Sequence, residues 1–429
     1  MEGIGAQLMR KGVRRSTCWT RGTTTVGEFV TRRFLIFTGA GCSVDAGLLT
    51  TQSLAARLDD LLSDPARTGG YSQELLPRYR FVCGALAMSR ARAGHSPFDS
   101  VNVEEVFSAV QLLAERRKLE VSPFVAQWID GVDSLDVGLM QRQQADSILR
   151  GIGEYMQSGA KSSEERWRII GDFRTNFETC VKGLGSGEGH GYKDLTYWMT
   201  RVLVDALQVT DISRVDYLDP LVQAARDSRC GAFVTLNYDL TAEMAFDAAG
   251  CAVDVGIQPD GGFDISRLDK LTGIGMREAG DPVPLLKLHG SISWTHVMSH
   301  GRLIQIPWTG DFSQHSPVLV FGQREKLRHD GPFLDLLSVF RRVLASCDGV
   351  LVVGYSFRDT HINHYLQQWL QASETNRLVV LSPGNPVEDV GFDQFCHLLA
   401  TTYADRVQHL DATARDGLSQ AAEMITALA

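Results

Sequence analysis

The chain has no C-x-x-C pair: Cys18, Cys42, Cys83, Cys180, Cys230, Cys251, Cys347 and Cys396 are scattered along it. That spacing excludes a zinc ribbon and a thioredoxin-type redox motif. No apolar run comes near the roughly 20 residues that span a bilayer, so no membrane segment is expected. A secretory signal is missing too. The N-terminal cluster of Arg10, Lys11, Arg14, Arg15 and Arg21 lacks an apolar core, and residues 1–33 read as a disordered basic leader. Without such a signal the cysteines are expected as free thiols in a reducing cytoplasm. Positive charge is in short supply. Lys and Arg number 42 against 51 Asp and Glu, a net charge of −9, which argues against a direct nucleic-acid binder. What remains, 44% hydrophobic and 22% charged residues over 429 positions, is the make-up of a globular protein with a large core.

Five short apolar runs each end in a loop of polar or glycine residues. Phe34–Phe37 leads into Gly39-Ala40-Gly41, Ala232–Leu236 into Asn237-Tyr238-Asp239, and Val350–Val353 into Gly354-Tyr355-Ser356. "PLLKLHGSISW" (284–294) adds a strand ending at His289-Gly290, and "RLVVLSPGNP" (377–386) one stopped by a Pro-Gly turn. Nearly continuous apolar runs suit parallel strands covered on both faces. With helical stretches between them, residues 34–429 read as one α/β domain with a Rossmann-like doubly wound sheet. Ligands of such sheets gather at the carboxyl ends of the strands, where all these loops fall.

Between the first two strands lies a mostly helical insertion, about residues 70–215. Asn102 with Glu105 resembles a capping box. Residues 195–207 and 218–228 have helical periodicity, with Pro220 just inside the second start. "GLGSGEGHGYK" (183–193) lacks the Gly-Lys-Ser/Thr ending of a phosphate loop and reads as a flexible surface loop.

The loops carry the chemistry. Val44 stands where a dehydrogenase fingerprint needs its third glycine, so the turn at 39–47 is of another kind. Gly39 and Gly41 let backbone approach a pyrophosphate, Ser43 can donate a hydrogen bond to it, and a helix beginning near Asp45 would aim its amide end at the anion. Asn237 offers two donors and an acceptor to a water or to ribose hydroxyls. Asp239 accepts from a carboxamide or caps the next helix, on which Glu243 is structural. His289 sits at a strand end, and an imidazole titrates near neutral pH, as a general base requires. Ser356 reaches phosphate or ribose, and Asp359 caps the helix that follows. His361 and His364 are helix-surface residues, so no metal is expected.

Taken in order, GAG-x-S, T-x-N-x-D, HG and G-x-S resemble the sirtuin fold. "GAGCSVDAGLLTTQSL", "VNVEEVFSAV", "TLNYDLTAE", "KLHGSISW" and "GYSFRDTHIN" together resemble the sirtuin-like NAD hydrolases of bacterial antiphage defence, over roughly residues 34–390. The resemblance implies that Gly39, Ala40, Gly41 and Ser43 line the pyrophosphate of NAD and that Asn237 and His289 are catalytic. Asp239 would lie near the nicotinamide, with Gly354, Ser356 and Ser382 on the adenosine side. Deacylases of this fold carry a four-cysteine zinc module after the histidine, and here only Cys347 and Cys396 lie beyond His289. "TTQSL" replaces the Asp-Phe-Arg of the deacylase loop. Both departures argue against an acyl-lysine substrate.

NAD is then expected as a substrate, cleaved to nicotinamide and ADP-ribose. The resemblance further implies an NAD-depleting role in abortive infection, a homo-oligomer, and a HerA-like hexameric ATPase or another activator as partner. Two other readings compete: an NAD-dependent deacylase or ADP-ribosyltransferase, and a non-catalytic sensor of NAD or ADP-ribose.

Overall fold

The computed structural model describes residues 32–92, 101–115, 190–273, 277–278, 280–297, 301–312, 315–321, 332–384 and 394–428. Its strands are β1 (Phe34–Thr38), β2 (Cys230–Thr235), β3 (Val253–Asp254), β4 (Val283–Lys287), β5 (Gly290–His296), β6 (Leu303–Gln305), β7 (Pro317–Leu319), β8 (Gly349–Val353), β9 (Arg377–Leu381) and β10 (Val407–Leu410). Seven of them form one sheet in the order β10-β9-β8-β1-β2-β4-β3, and every neighbouring pair is parallel. To one side of β1 lie β8, β9 and β10 in turn, and to the other β2, β4 and β3. The loops leaving β1 and its neighbours therefore diverge, which opens a crevice at their carboxyl ends.

The helices are α1 (Thr51–Ser63), α2 (Ser72–Arg92), α3 (Val103–Glu115), α4 (His190–Leu207), α5 (Asp219–Arg226), α6 (Thr241–Ala248), α7 (Ile265–Thr272), α8 (Phe333–Ala345), α9 (Thr360–Ala372), α10 (Gln394–Ala400) and α11 (Ala414–Leu428). Helices α5 and α11 pack together on β2, β8 and β9, while α7, α8 and α9 form a second group over β2 and β4. With both sides covered, β1, β2, β4 and β8 are buried along their whole length. That is why these strands read as unbroken apolar runs instead of alternating ones.

A second core lies between α1, α2, α3 and α4, around Leu58, Leu62, Tyr79, Phe107, Leu195 and Leu203. It is continuous with Tyr238, Leu240, Ile292 and Leu319 on the sheet side, and Phe107 stacks on Phe321 with ring centroids 4.0 Å apart. The helical lobe is thereby anchored over the crevice. Arg80 binds Asp59 through two hydrogen bonds of 2.8 and 2.7 Å, tying α2 to α1.

Several local expectations need correction. The helical layer takes in α1, which starts at Thr51, ahead of the expected boundary near 70. No helix begins at Asp45. A 3₁₀ helix already spans Ala40–Ala46, and Gly47, with φ 88°, ends it by donating to the carbonyls of Ser43 and Val44. The strand expected to end at His289-Gly290 is β4, which stops at Lys287, and a further strand that was not expected, β5, starts at Gly290. With φ 88°, Gly290 lets the chain reverse straight after His289, and a Cβ there would stand 2.2 Å from the Val318 carbonyl oxygen of β7. Strands β5, β6 and β7 make a separate antiparallel sheet in the order β6-β5-β7. Asn102 caps α3, accepting from the Glu104 N–H at 2.9 Å, but Glu105 does not close the box. Its carboxylate takes Arg90 of α2 instead, at 2.7 Å, where the partner is charged. In the stretch read as a surface loop, His190–Lys193 form the first turn of α4, and 183–189 lie outside the described residues. The expected leader lies outside them too, except for Arg32 and Arg33. Arg33 is buried and donates to the Gly273 carbonyl and the Ser346 hydroxyl.

The thiols follow burial. Cys42, Cys83, Cys230, Cys347 and Cys396 are free and buried, while Cys251 is partly exposed. Desolvation pushes the Cys83, Cys230 and Cys347 thiols up to about 12. Brief alkylation of the native protein at neutral pH is therefore expected to label Cys251 and spare those five, as peptide mapping by mass spectrometry will show. Among the described residues no helix is long and apolar enough to cross a membrane.

Candidate active site

Strands β1 and β8 end side by side, with Thr38 opposite Val353, and their loops run into one another. The Gly39 N–H donates to the Val353 carbonyl at 3.0 Å, and the Gly41 N–H to that of Gly354 at 2.9 Å. A Cβ on Gly41 would stand 2.8 Å from the Gly354 Cα, and one on Gly354, whose φ is 61°, only 2.2 Å from the Cys42 nitrogen. The sequence pattern had these glycines clearing room for a pyrophosphate. In the fold, the space a side chain would take is already filled by the facing loop. Gly354→Ala should cost about 1–3 kcal/mol through overpacking alone, with a left-handed backbone penalty of about 1–2 kcal/mol added. Thermal unfolding measures it.

Asn237 follows β2 with its side chain fixed. Its Nδ2 donates to the Gly39 carbonyl and to the Ser43 hydroxyl, both at 3.0 Å. The Thr241 hydroxyl donates to Asp239 Oδ1 at 2.7 Å, so its contact with Ser43, at 3.0 Å, must receive the Ser43 proton. The direction of every bond in the chain is thereby set. Two expectations change with it. Asn237 has both amide hydrogens engaged and offers only its Oδ1. Ser43, 1% exposed, holds Asn237 in place, its proton directed to Thr241 and away from any phosphate. Asp239, one residue before the cap position Leu240, turns to the start of α6 and accepts from the Thr241 N–H at 3.0 Å.

Beneath this loop, the ammonium of Lys287 is fully buried. It donates to the Asp239 carbonyl at 2.5 Å and pairs with Glu243 at 2.7 Å, which joins the end of β4 to the Asn237 loop and α6. Glu243 is structural, as expected. Cys42 lies under the same loop, its thiol pushed well up by burial and then by the charges of Asp239 and Asp45.

His289, between β4 and β5, is buried and places Nε2 3.1 Å from Asp359 Oδ2. Asp359 also caps α9 as expected, its Oδ1 accepting from the N–H groups of His361 and Ile362. The loop carrying it is over-determined. Phe357 takes φ 53°, rare for a side chain of that size. Its carbonyl accepts from Asn363 Nδ2 at 2.6 Å, and the Tyr355 hydroxyl donates to Asn363 Oδ1 at 2.9 Å.

All these loops line one cavity of about 430 Å³ at the carboxyl ends of β1, β2, β8 and β9. It contains every residue the sequence singled out: Gly39, Ala40, Gly41, Ser43, Asn237, Asp239, His289, Gly354, Ser356 and Ser382. The lobe closes over it with Leu49, Thr50 and Leu54, with Asn102, Val103 and Glu104 from the start of α3, and with Leu207. Sequence reasoning missed Glu104, Tyr238 and Arg358 as lining residues. Glu104 stood inside a quoted motif, and only the docking of α3 brings it here, where Tyr238 Oη meets its Oε1 at 3.3 Å. Among the described residues, no group of three His, Cys, Asp or Glu is placed to hold a metal.

Comparison with known families assigns part of this architecture. Residues 231–394 match the SIR2-like domain. The matched segment runs from β2 to the start of α10 and holds Asn237, Asp239, His289, Gly354, Ser356 and Ser382; the glycine turn at 39–43 lies outside it. No curated protein matches the chain. Among solved structures, similar chains include a mutant Sir2 homologue in complex with 2'-O-acetyl ADP ribose, at 12% identity and TM-score 0.37, covering 93% of this chain and 94% of that one. A Sir2 homologue–NAD complex has 12% identity and TM-score 0.36, with 92% and 90% covered. A further Sir2 enzyme structure has 13% identity and TM-score 0.32, with 56% and 79% covered. At these TM-scores the likenesses add nothing to the SIR2-like segment, whose architecture stands on its sheet order and its family match.

Proposed function

We propose that this protein is an NAD glycohydrolase, splitting the nicotinamide–ribose bond to release nicotinamide and ADP-ribose. One observation carries the reading: Asn237, reduced to a single outward acceptor, and the buried imidazole of His289 share one cavity with the glycine turn of a doubly wound sheet. Nicotinamide departs as a neutral group, so no strong acid is needed. The site must hold the ribose, shield a cation-like transition state and admit a water. Asn237 Oδ1 accepts from that water or from a ribose hydroxyl, and His289 takes the proton. The pyrophosphate lies along Gly39, Ala40 and Gly41, in a cavity whose one lining guanidinium among the described residues is Arg358, with the adenosine toward Gly354, Ser356 and Ser382. Leu49, Leu54, Val103 and Leu207 give the cavity an apolar wall.

The same reading includes the NAD-depleting defence role, a cytoplasmic homo-oligomer, and a HerA-like ATPase or other activator that raises a basal rate the protein already has alone. Incubation with NAD alone, followed by chromatography of nicotinamide and ADP-ribose, tests the chemistry. Equal release of both without further substrate is expected. If release appears only on adding an acyl-lysine peptide, the site is a deacylase.

A further inference from the structure

The contact between His289 and Asp359 joins the end of β4 to the loop before α9. A carboxylate only accepts, so at 3.1 Å from Asp359 Oδ2 it is Nε2 of His289 that carries the ring proton. The other ring nitrogen, Nδ1, is buried without a hydrogen-bond partner. It is the nitrogen left with a lone pair. Asp359 is itself 7% exposed, and its other oxygen is fixed by the first turn of α9, so the carboxylate cannot swing away without uncapping the helix. The strained Phe357, the Asn363 pin and the Tyr355 hydroxyl, whose one proton is shared between Asn363 Oδ1 at 2.9 Å and the Asp359 carbonyl at 3.1 Å, hold the backbone that presents it. Such an effort to aim one carboxylate exceeds what an N-cap requires, since Ser or Thr caps helices without it.

We propose that Asp359 is the positioning residue of His289: it fixes the Nε2–H tautomer, leaves Nδ1 as the proton acceptor, and stabilises the imidazolium formed when that nitrogen takes a proton. In the step assigned to His289, NAD binding must first uncover Nδ1, which is closed to water in this structure; an O–H bond of water or of a ribose hydroxyl then breaks, its proton goes to Nδ1, and the positive charge is shared toward Asp359. The proposal rests on His289 being the base of the NAD-cleaving reaction.

Two substitutions separate this role from capping. Asp359→Asn keeps an oxygen for the α9 cap but turns a donor toward Nε2, which reverses the tautomer. Asp359→Ser keeps the cap and removes the contact. Both variants are expected to melt close to wild type and to bind NAD with little change in KM, while kcat falls by about 10–10³-fold. Nitrogen-15 NMR of His-labelled protein, with the His289 signals assigned by their loss in His289→Gln, is expected to show Nε2–H in wild type and Nδ1–H in Asp359→Asn. Wild-type turnover in Asp359→Asn, or an unchanged tautomer, overturns the proposal. If wild type releases no nicotinamide, the hydrolase reading fails, while the NMR comparison still decides whether Asp359 sets the tautomer.

Discussion

His289→Ala and Asn237→Ala are each expected to lower nicotinamide release from NAD by about 10²–10⁴-fold, the range that removing a positioned proton acceptor or its partner commands. The two act on one step, so the double variant should be little worse than the poorer single one. Their accompanying effects differ. His289→Ala opens space beside Asp359 and leaves the β1 and β2 loops intact. Asn237→Ala also deletes the two bonds that tie the β2 loop to Gly39 and Ser43, at 3.0 Å each. Asn237→Asp is the sharper probe, because an oxygen replaces the donor that faces the Gly39 carbonyl and repels it. Initial rates at saturating NAD, beside thermal unfolding of each variant, distinguish lost chemistry from a loosened loop. Near-wild-type rates in either alanine variant would remove that residue from the reaction.

The largest stability effect is expected at Lys287, where no chemistry occurs. Lys287→Met leaves Glu243 buried without its cation and takes the donor from the Asp239 carbonyl. Breaking a buried pair from one side costs about 3–5 kcal/mol, a large part of a typical domain's stability. Replacing both partners, as in Lys287→Met with Glu243→Leu, should recover most of that loss, because two apolar groups fill the space without a stranded charge. Activity should not recover with it: the Asp239 carbonyl still lacks its donor, and the loop bearing Asn237 is held less firmly. Urea unfolding and turnover measured on the same samples test both halves. A double variant that regains full turnover would show that the Lys287 ammonium serves packing alone.

Much of the sheet could be read directly because both of its sides are covered. Burial on two faces writes Phe34–Phe37, Ala232–Leu236 and Val350–Val353 as apolar runs, and short-range patterning suffices to find them. Strands β5, β6 and β7 have no such signature. β6 and β7 are only three residues each, β5 is mixed in polarity, and the three depend on a reversal at Gly290 that the sequence records only as a glycine. The residues of the cavity were legible because the loops at the carboxyl ends of parallel strands converge on one edge of the sheet. Their partners were not. Ser43 reads as an anion ligand until its neighbour 198 positions away, Thr241, is seen to take its proton. Gly41 reads as room for phosphate, and Gly354 as a contact for the adenosine side, until each is seen to occupy the other's missing side chain. Asp359 reads as a cap, and is one, yet the contact with His289 spans 70 residues and leaves no local trace. What escaped the sequence in each case was a pairing set by the parallel sheet, which brings distant loops to one edge.

The most direct test of the account is the fate of the sugar carbon that nicotinamide leaves. Purified protein would be given NAD in water enriched in heavy oxygen, and the products followed by mass spectrometry. The account predicts nicotinamide and ADP-ribose in equal amounts, with the heavy oxygen in the ADP-ribose and no need for any other acceptor. Nicotinamide released only in the presence of an acyl-lysine peptide, with the ADP-ribose joined to its acyl group, would contradict it.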